Sequence, residues 1–258
     1  MIQPSSFNRP NAPIGFYGKL PAHGDFVSRG LGPKQITVLD GWLQSAVASA
    51  QSELGEAWLE RYLQTPAWRF VFSSGVIDAF AWAGLLLPSV DRVGRYFPIM
   101  ALVNLPPSTC LSEFLCMQQT WFAGLEDRLR SALHGRVQID GIVDSIDELE
   151  TTELPLFTDK FATAHKTGIS SKKLLSQPLT ATGDMHHAMA VLALLDRSLS
   201  HDGSGYSLWS TSGSDTTPPS VNAATGLPQG KESLALITGD WQSAGWAEGF
   251  GVRPSVSA

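Results

Sequence analysis

Three apolar segments follow one another in this chain with only short connections between them. They run from Trp68 to Phe72, from Phe80 to Leu87 and from Phe97 to Asn104, and each has the length and the aromatic or aliphatic content of a β-strand. The loop from Pro88 to Tyr96 is too short for a crossover, because a parallel connection needs about a dozen residues or more. The sequence therefore predicts a meander of three antiparallel strands.

Further strands and helices are expected on either side of this meander. Ile14 to Lys19 and Tyr206 to Thr211 read as strands, and Val221 to Ala224 reads as an edge strand. Apolar residues recur at helical spacing from Ile36 to Leu54, and a stripe of large apolar side chains runs through one long helix from Leu111 to Leu133. The pattern predicts an α/β fold of the α+β kind, with a single mixed, largely antiparallel sheet flanked by helices on both faces.

The remaining segments complete the expected organisation. Four shorter helices are predicted, in the regions of Trp58 to Leu63, Ile142 to Leu149, Met189 to Leu199 and Lys231 to Ile237. Residues 150–184 are rich in Thr, Ser and Lys and are interpreted as an irregular excursion. We expect one domain over residues 13–246, with a flexible N-terminus at 1–12 and a flexible tail at 247–258.

Composition excludes several classes of function. The net charge of −6 and the pI near 5.5 argue against a nucleic-acid binder, which needs a basic face. The first dozen residues do not have a signal peptide's pattern, and the longest apolar run, Ala79 to Leu87, is too short for a membrane helix. Cys110 and Cys116 are interpreted as reduced thiols. We therefore expect a cytoplasmic protein without membrane insertion.

Two loops combine glycines with fixed charges. The charged residues are Lys19, Asp25 and Arg29 in the first loop and Asp91, Arg92 and Arg95 in the second. In the second loop, a carboxylate flanked by two guanidiniums predicts a tight turn built on Asp91, Arg92 and Gly94, in which one arginine pairs with Asp91 and the other stays available to a partner. The loops are thus either structural turns held by ion pairs or the functional surface of the protein.

Patterns that would indicate catalysis or cofactor binding are incomplete. The Gly15-to-Lys19 stretch lacks the spacing and the following hydroxyl of a phosphate-binding loop. His23, Asp25 and Ser28 lie close together, but the chain contains no G-x-S-x-G nucleophile elbow. His186 and His187 are adjacent on a helix and do not converge on one ion. We therefore predict no catalytic, cofactor-binding or metal-binding residue.

The same two loops lie in blocks that resemble the TagF (ImpM) family, accessory proteins encoded with bacterial type VI secretion systems. The resemblance rests on GFYGKLPAHGDFVSR at Gly15–Arg29, the strand PAWRF at Pro66–Phe70, the block containing PSVDRVGRYFP that ends at Pro98, and YSLW at Tyr206–Trp209. It extends over most of residues 13–246. The chain departs from the family at Ser210, where a second tryptophan is usual.

The resemblance implies a function that composition does not. The resemblance implies that the chain is a post-translational repressor of the secretion apparatus, which acts in the cytoplasm through the forkhead-associated (Fha) scaffold protein. It also implies a fold similar to that of longin domains. On this basis the chain is expected to be a binding module and not an enzyme. Its expected partner-binding residues are Lys19, His23, Asp25, Arg29 and Arg95. The alternative is a hydrolase or phosphoprotein-directed enzyme that uses His23, Asp25 and Arg95; homodimer formation stays open.

Overall fold

A seven-stranded antiparallel sheet lies at the centre of the protein. The computed structural model describes residues 14–106, 109–135, 141, 184–200 and 205–247. The strands are β1 (Gly15–Gly18), β2 (Val27–Arg29), β3 (Trp68–Phe72), β4 (Ala81–Leu87), β5 (Ile99–Leu105), β6 (Tyr206–Thr211) and β7 (Ser220–Thr225). Their order across the sheet is β2-β1-β5-β4-β3-β6-β7, and each neighbouring pair is antiparallel. The predicted sheet is confirmed, with antiparallel pairing at every one of these neighbours.

The predicted meander forms the middle of this sheet. β3 pairs with β4 and β4 pairs with β5, so that Gly84 lies opposite both Phe70 and Leu102. The sequence predicts that two strands begin at Phe80 and Phe97, whereas β4 and β5 begin one and two residues later, at Ala81 and Ile99. The short loops therefore predicted the pairing correctly and the strand ends to within two residues.

The strand β2 is absent from the sequence-based prediction, which placed Arg29 in the first glycine-bearing loop. Its three residues pair with β1, placing Val27 opposite Gly18. Val27 is buried, whereas the following Ser28 and Arg29 are progressively more exposed. Three residues are too few to show the alternation of apolar and polar side chains that identifies a strand in a sequence. The strand is therefore recognised only by its pairing with β1.

Helices pack on both faces of the sheet. The described helices are α1 (Pro33–Leu54), α2 (Trp58–Leu63), α3 (Leu111–Met117), α4 (Gln119–Leu133), α5 (Asp184–Leu199) and α6 (Lys231–Thr238). On one face, Phe114 and Phe122 of α3 and α4 belong to the same core cluster as Val71. On the other face, Trp42 of α1 packs with Phe70 and Trp209. The expectation of helices on both faces is confirmed.

The single long helix predicted from Leu111 to Leu133 is wrong, because α3 and α4 are separate helices. Gln118 between them has φ −89° and ψ 38°, outside the helical range, and is fully buried. The side-chain amide of Gln119 donates to the carbonyl oxygens of Leu115 at 2.8 Å and Cys116 at 3.2 Å. These bonds satisfy carbonyls at the end of α3, so the chain can bend without a glycine or proline.

Later elements agree with the sequence. The predicted strands at Tyr206 and Val221 correspond to β6 and β7, and the predicted helix at Lys231 corresponds to α6. The helix expected from Met189 begins earlier, at Asp184. The helix predicted from Ile142 to Leu149, most of the 150–184 excursion and almost all of the two terminal segments lie outside the described residues. The division into one domain over 13–246 stays a prediction.

Candidate functional site

Two charged loops meet at one end of the sheet. β1 pairs antiparallel with β5, so that Gly18 at the end of β1 lies opposite Ile99 at the start of β5. The loop that follows β1 and the loop that precedes β5 therefore emerge side by side. The amide of Lys19 donates to the carbonyl of Pro98 at 3.3 Å, and the amide of Arg92 donates to the carbonyl of His23 at 2.9 Å. The register of the sheet thus brings the two loops together.

Asp91 is the centre of the hydrogen bonding between these loops. Its Oδ1 accepts the backbone amides of Val93 at 3.0 Å and Arg95 at 2.9 Å. Its Oδ2 accepts Nζ of Lys19 at 3.0 Å and Nε of Arg95 at 2.6 Å. Of the two arginines that the sequence offers to Asp91, the structure uses Arg95. Gly94 has φ +87°, a left-handed conformation that glycine adopts without the strain of a side chain.

The charge state of Asp91 follows from these bonds. Burial alone would raise the pKa of its carboxyl. The opposing bonds from the Arg95 amide, the Lys19 ammonium and the Arg95 guanidinium hold the pKa below its ordinary value. Asp91 is therefore ionised at neutral pH, which keeps the turn closed and the ion pairs intact.

Lys19, which the sequence analysis places among the partner-binding residues, has its side chain beneath the surface. The side chains of Lys19 and Asp91 are 7% and 0% exposed. The Lys19 ammonium lies 5.1 Å from the ring centroid of Phe26 in a cation–π arrangement. The buried Lys19 ammonium thus helps to hold the two loops together.

A second set of buried bonds fixes the base of the same loops. The hydroxyl of Ser89 donates to the carbonyl of Lys19 at 2.6 Å. The Ser89 amide donates to the Tyr62 hydroxyl at 2.8 Å, and that hydroxyl donates to the Ser89 carbonyl at 2.9 Å. Burial raises the pKa of Tyr62 above its ordinary value, so it remains a neutral donor. Helix α2, which carries Tyr62, thus supports the loop before β5.

Phe26 is a surface aromatic residue that the sequence reasoning missed. It is 42% exposed, although one face of its ring stacks on Tyr17 at 5.7 Å between centroids. Phe97 contacts it edge-on at 4.9 Å. Tyr17 is itself held by a 2.5 Å bond from its hydroxyl to Asp40 of α1. The presence of an aromatic residue in a glycine-bearing loop could have indicated this surface. The sequence does not show, however, that Tyr17 and Phe97 contact the Phe26 ring.

Two guanidiniums flank Gly24 beside this aromatic ring. Nη2 of Arg95 donates to the Gly24 carbonyl at 2.7 Å. A Cβ added to Gly24 would lie 3.0 Å from Nη2 of Arg92, so that guanidinium rests against the loop backbone. Val93 at the tip of the turn is 67% exposed. We call Gly24, Phe26, Arg92, Val93 and Arg95 the two-loop surface.

The other predicted site residues surround this surface. His23 is half-buried, and its buried Nε2 has no hydrogen-bond partner within the described part of the chain. Asp25 is exposed, and its Oδ1 accepts the Phe26 amide at 2.8 Å. Arg29 is exposed on β2, where Nη1 donates to the Ser28 carbonyl at 3.0 Å. The hydrogen bonds among the described residues join His23 to neither Asp25 nor Arg95, so the hydrolase hypothesis gains no assembled catalytic set.

The described residues form neither a metal-binding cluster nor a helix that could span a membrane. In residues 14–106, 109–135, 141, 184–200 and 205–247, no group of three or more His, Cys, Asp or Glu residues is placed to hold a metal ion. Within the same ranges, no helix has both the length and the apolar composition needed to cross a bilayer.

Known proteins resemble this chain in sequence and in fold. The sequence profile of the TagF N-terminal domain, described as type VI secretion system-associated, matches residues 15–149. The chain belongs to the TagF family. The matched range contains both loops of the two-loop surface, so the geometry described above lies inside the TagF N-terminal domain.

A solved structure extends the similarity beyond the TagF N-terminal domain. The crystal structure of PA0076 from Pseudomonas aeruginosa PAO1 superposes with a TM-score of 0.72 at 30% sequence identity. The match covers 95% of this chain and 100% of that chain, so the two proteins share the sheet and its helical layers. No curated protein gives a significant match.

Proposed function

We propose that this TagF-family chain is a cytoplasmic negative regulator of a type VI secretion system that acts after translation by binding the forkhead-associated scaffold protein. The observation that carries the proposal is membership of a secretion-associated family together with a fixed two-loop surface inside the family's domain. Regulation by binding requires a surface that one partner recognises, and this end of the sheet has the properties of such a surface.

The first supporting property is rigidity. Asp91 accepts four bonds, and Ser89 and Tyr62 fix the base of the same loop. A surface that is ordered before binding loses less conformational entropy when a partner docks. The loops therefore present their exposed side chains in one arrangement, despite the absence of regular secondary structure at the turn.

The second supporting property is the chemical character of the exposed side chains. Phe26 supplies an aromatic surface, and Arg92 and Arg95 supply guanidiniums next to it. Aromatic and arginine side chains are enriched at protein interfaces, where they contribute much of the binding energy. Arg29 and Asp25 extend this region as further exposed charged groups.

Affinity purification tests the proposal directly. A tagged copy of the chain, expressed in cells with an active type VI secretion system, should retain the forkhead-associated scaffold, as identified by mass spectrometry. Raised expression should reduce effector export without lowering the amount of scaffold protein, because the proposed repression is post-translational. Export that is unchanged at raised expression, or purification without the scaffold, would contradict the proposal.

A matched pair of variants separates binding from folding. Arg29→Glu reverses an exposed charge beside the two-loop surface, whereas Arg130→Glu reverses an exposed charge near the C-terminal end of α4. The proposal expects weaker scaffold retention with the Arg29 variant and normal retention with the Arg130 variant. A thermal melt of each protein checks that the fold is retained.

A further inference from the structure

The two-loop surface has a charge opposite in sign to that of the whole chain. The chain contains 24 Asp and Glu residues against 18 Lys and Arg residues. At the tip of the turn, Arg92 and Arg95 are exposed, while the neighbouring carboxylate of Asp91 is buried and paired. Asp25 is the acidic residue of the first loop, and one of its oxygens is engaged by the Phe26 amide. The tip is therefore a locally basic region on an acidic protein.

The two guanidiniums differ in how much of their hydrogen-bonding capacity remains. Nε of Arg95 binds Asp91 and its Nη2 binds the Gly24 carbonyl. The guanidinium of Arg92 lies close to Gly24, and no hydrogen bond from it is found among the described residues. A guanidinium with its full set of donors can bind a carboxylate through two parallel bonds. Arg92 is thus the group best placed to bind an anionic side chain, and Arg95 supplies further positive charge.

The same two loops also carry exposed apolar side chains. Phe26 is 42% exposed and Val93 is 67% exposed. The Phe26 ring cannot withdraw into the core, because Tyr17 and Phe97 already contact it on two sides. A rigid aromatic side chain in this position costs little entropy on burial and gains from transfer out of water.

We infer that the partner presents an acidic surface with an apolar socket: the socket receives Phe26, and carboxylates bind the Arg92 and Arg95 guanidiniums. This inference rests on the proposed function and specifies which kind of scaffold surface the chain recognises. Opposite charge on the two proteins accelerates association, and the effect weakens as salt screens it. The burial of Phe26 then slows dissociation.

Substitutions of Val93 test the sign of the partner's charge. The Val93 side chain is exposed, and only its backbone amide binds Asp91, so exchange of the side chain leaves the turn intact. Val93→Lys should accelerate association with the purified scaffold, and Val93→Glu should slow it, each by about tenfold at low salt. The difference between the two variants should shrink at 0.5 M salt.

Val221 provides the matched control for this experiment. It is a valine of similar exposure, 71%, on the edge strand β7, five strands away from β1 in the sheet order. Val221→Lys and Val221→Glu make the same changes in net charge, so any effect they share with the Val93 variants comes from net charge alone. The inference expects the Val221 pair to differ in association rate by less than about twofold.

Phe26→Ala addresses the apolar socket and should raise the dissociation rate by tenfold or more. Because Phe26 also packs on Tyr17, Phe26→Leu serves as a second variant that keeps an apolar side chain, and it should lose less affinity.

Scaffold binding that is unaltered in the Val93 and Phe26 variants would overturn the inference and leave the proposed function standing. Faster association with Val93→Glu would show a basic partner and overturn the inference. Failure of the wild-type chain to bind the scaffold would overturn the proposed function and the inference with it.

Discussion

Nζ of Lys19 lies 3.0 Å from Oδ2 of Asp91, across 72 residues of sequence, and both side chains are almost completely buried. This ion pair joins the loop after β1 to the loop before β5. It explains how two glycine-bearing segments hold one arrangement in the absence of regular secondary structure. The buried Lys19–Asp91 pair therefore fixes the loops that carry the exposed arginines and Phe26.

Removal of the Lys19 ammonium should destabilise the protein. Lys19→Met leaves the Asp91 carboxylate buried with Arg95 as its remaining cation, and we expect a loss of about 3 kcal/mol in the free energy of unfolding. Lys231 offers a control, because its pair with Glu53 has side chains that are 67% and 41% exposed. Lys231→Met should cost about 0–1 kcal/mol. Urea denaturation of both variants measures the difference, and equal midpoints would show that the buried pair does not hold the loops.

Glu113 should make the stability depend on pH. It is 2% exposed, and its Oε1 has no partner among the described residues. Burial, and after it the charge of Asp196 on α5, raises the pKa of Glu113 to about 7. The folded state therefore holds this proton more tightly than the unfolded chain does. The stabilisation is fully present below about pH 4.5 and is lost as pH rises to about 7.

Glu113→Gln checks this assignment by removing the titration. The variant should be more stable than the wild type at pH 8 and should show a smaller change in stability between pH 5 and pH 8. Burial also raises the pKa of Asp196, so the stability of the variant should still depend in part on pH. A Glu113→Gln profile that coincides with the wild type would contradict this account.

The buried tryptophans should be costly to truncate. Trp68 on β3 and Trp121 on α4 are only 0% and 2% exposed. Either Trp→Ala change should cost about 3–5 kcal/mol through lost burial and a residual cavity. Trp68→Phe should also cost stability, because the Trp68 indole donates to the Leu236 carbonyl at 2.7 Å. Denaturant midpoints equal to that of the wild type would show that these side chains do not stabilise the core.

Some features of the fold were predictable because they depend on local sequence. The loop from Pro88 to Tyr96 is short, so the pairing of β4 with β5 followed from chain length alone. The break at Gln118 was not predictable, because the apolar stripe continues across it and a side-chain amide replaces the usual helix-ending residue. The strand β2 was missed since three residues define no period.

The candidate site was predictable only in part, for a different physical reason. The charges around Asp91 indicated a turn, and Arg95 lies only four residues away. The Lys19 partner could not be derived, since it depends on the register between β1 and β5. The same register buries Lys19 and arranges Tyr17 and Phe97 around Phe26. The sequence alone does not distinguish a buried, structural charge such as that of Lys19 from the exposed charges of the neighbouring arginines, because the distinction depends on burial in the folded protein.

Gly84 in β4 should tolerate no side chain. A Cβ there would lie 2.0 Å from the Ala101 carbonyl oxygen and 2.8 Å from the Phe70 ring. Gly84→Ala should destabilise the sheet by about 1–3 kcal/mol. Gly41 in α1 has open space around it, so Gly41→Ala should stabilise the protein by about 0.5–1 kcal/mol. Thermal melts that shift in the same direction for both variants would be inconsistent with the packing around β4.

Scaffold co-purification with charge-reversed variants tests the central claim most directly. Arg92→Glu and Arg29→Glu alter exposed side chains, so both proteins should keep the wild-type melting temperature. The account predicts that each variant retains much less forkhead-associated scaffold than wild type and that effector export is released from repression, whereas Arg130→Glu behaves as wild type. Full scaffold retention by well-folded Arg29→Glu and Arg92→Glu variants would contradict it.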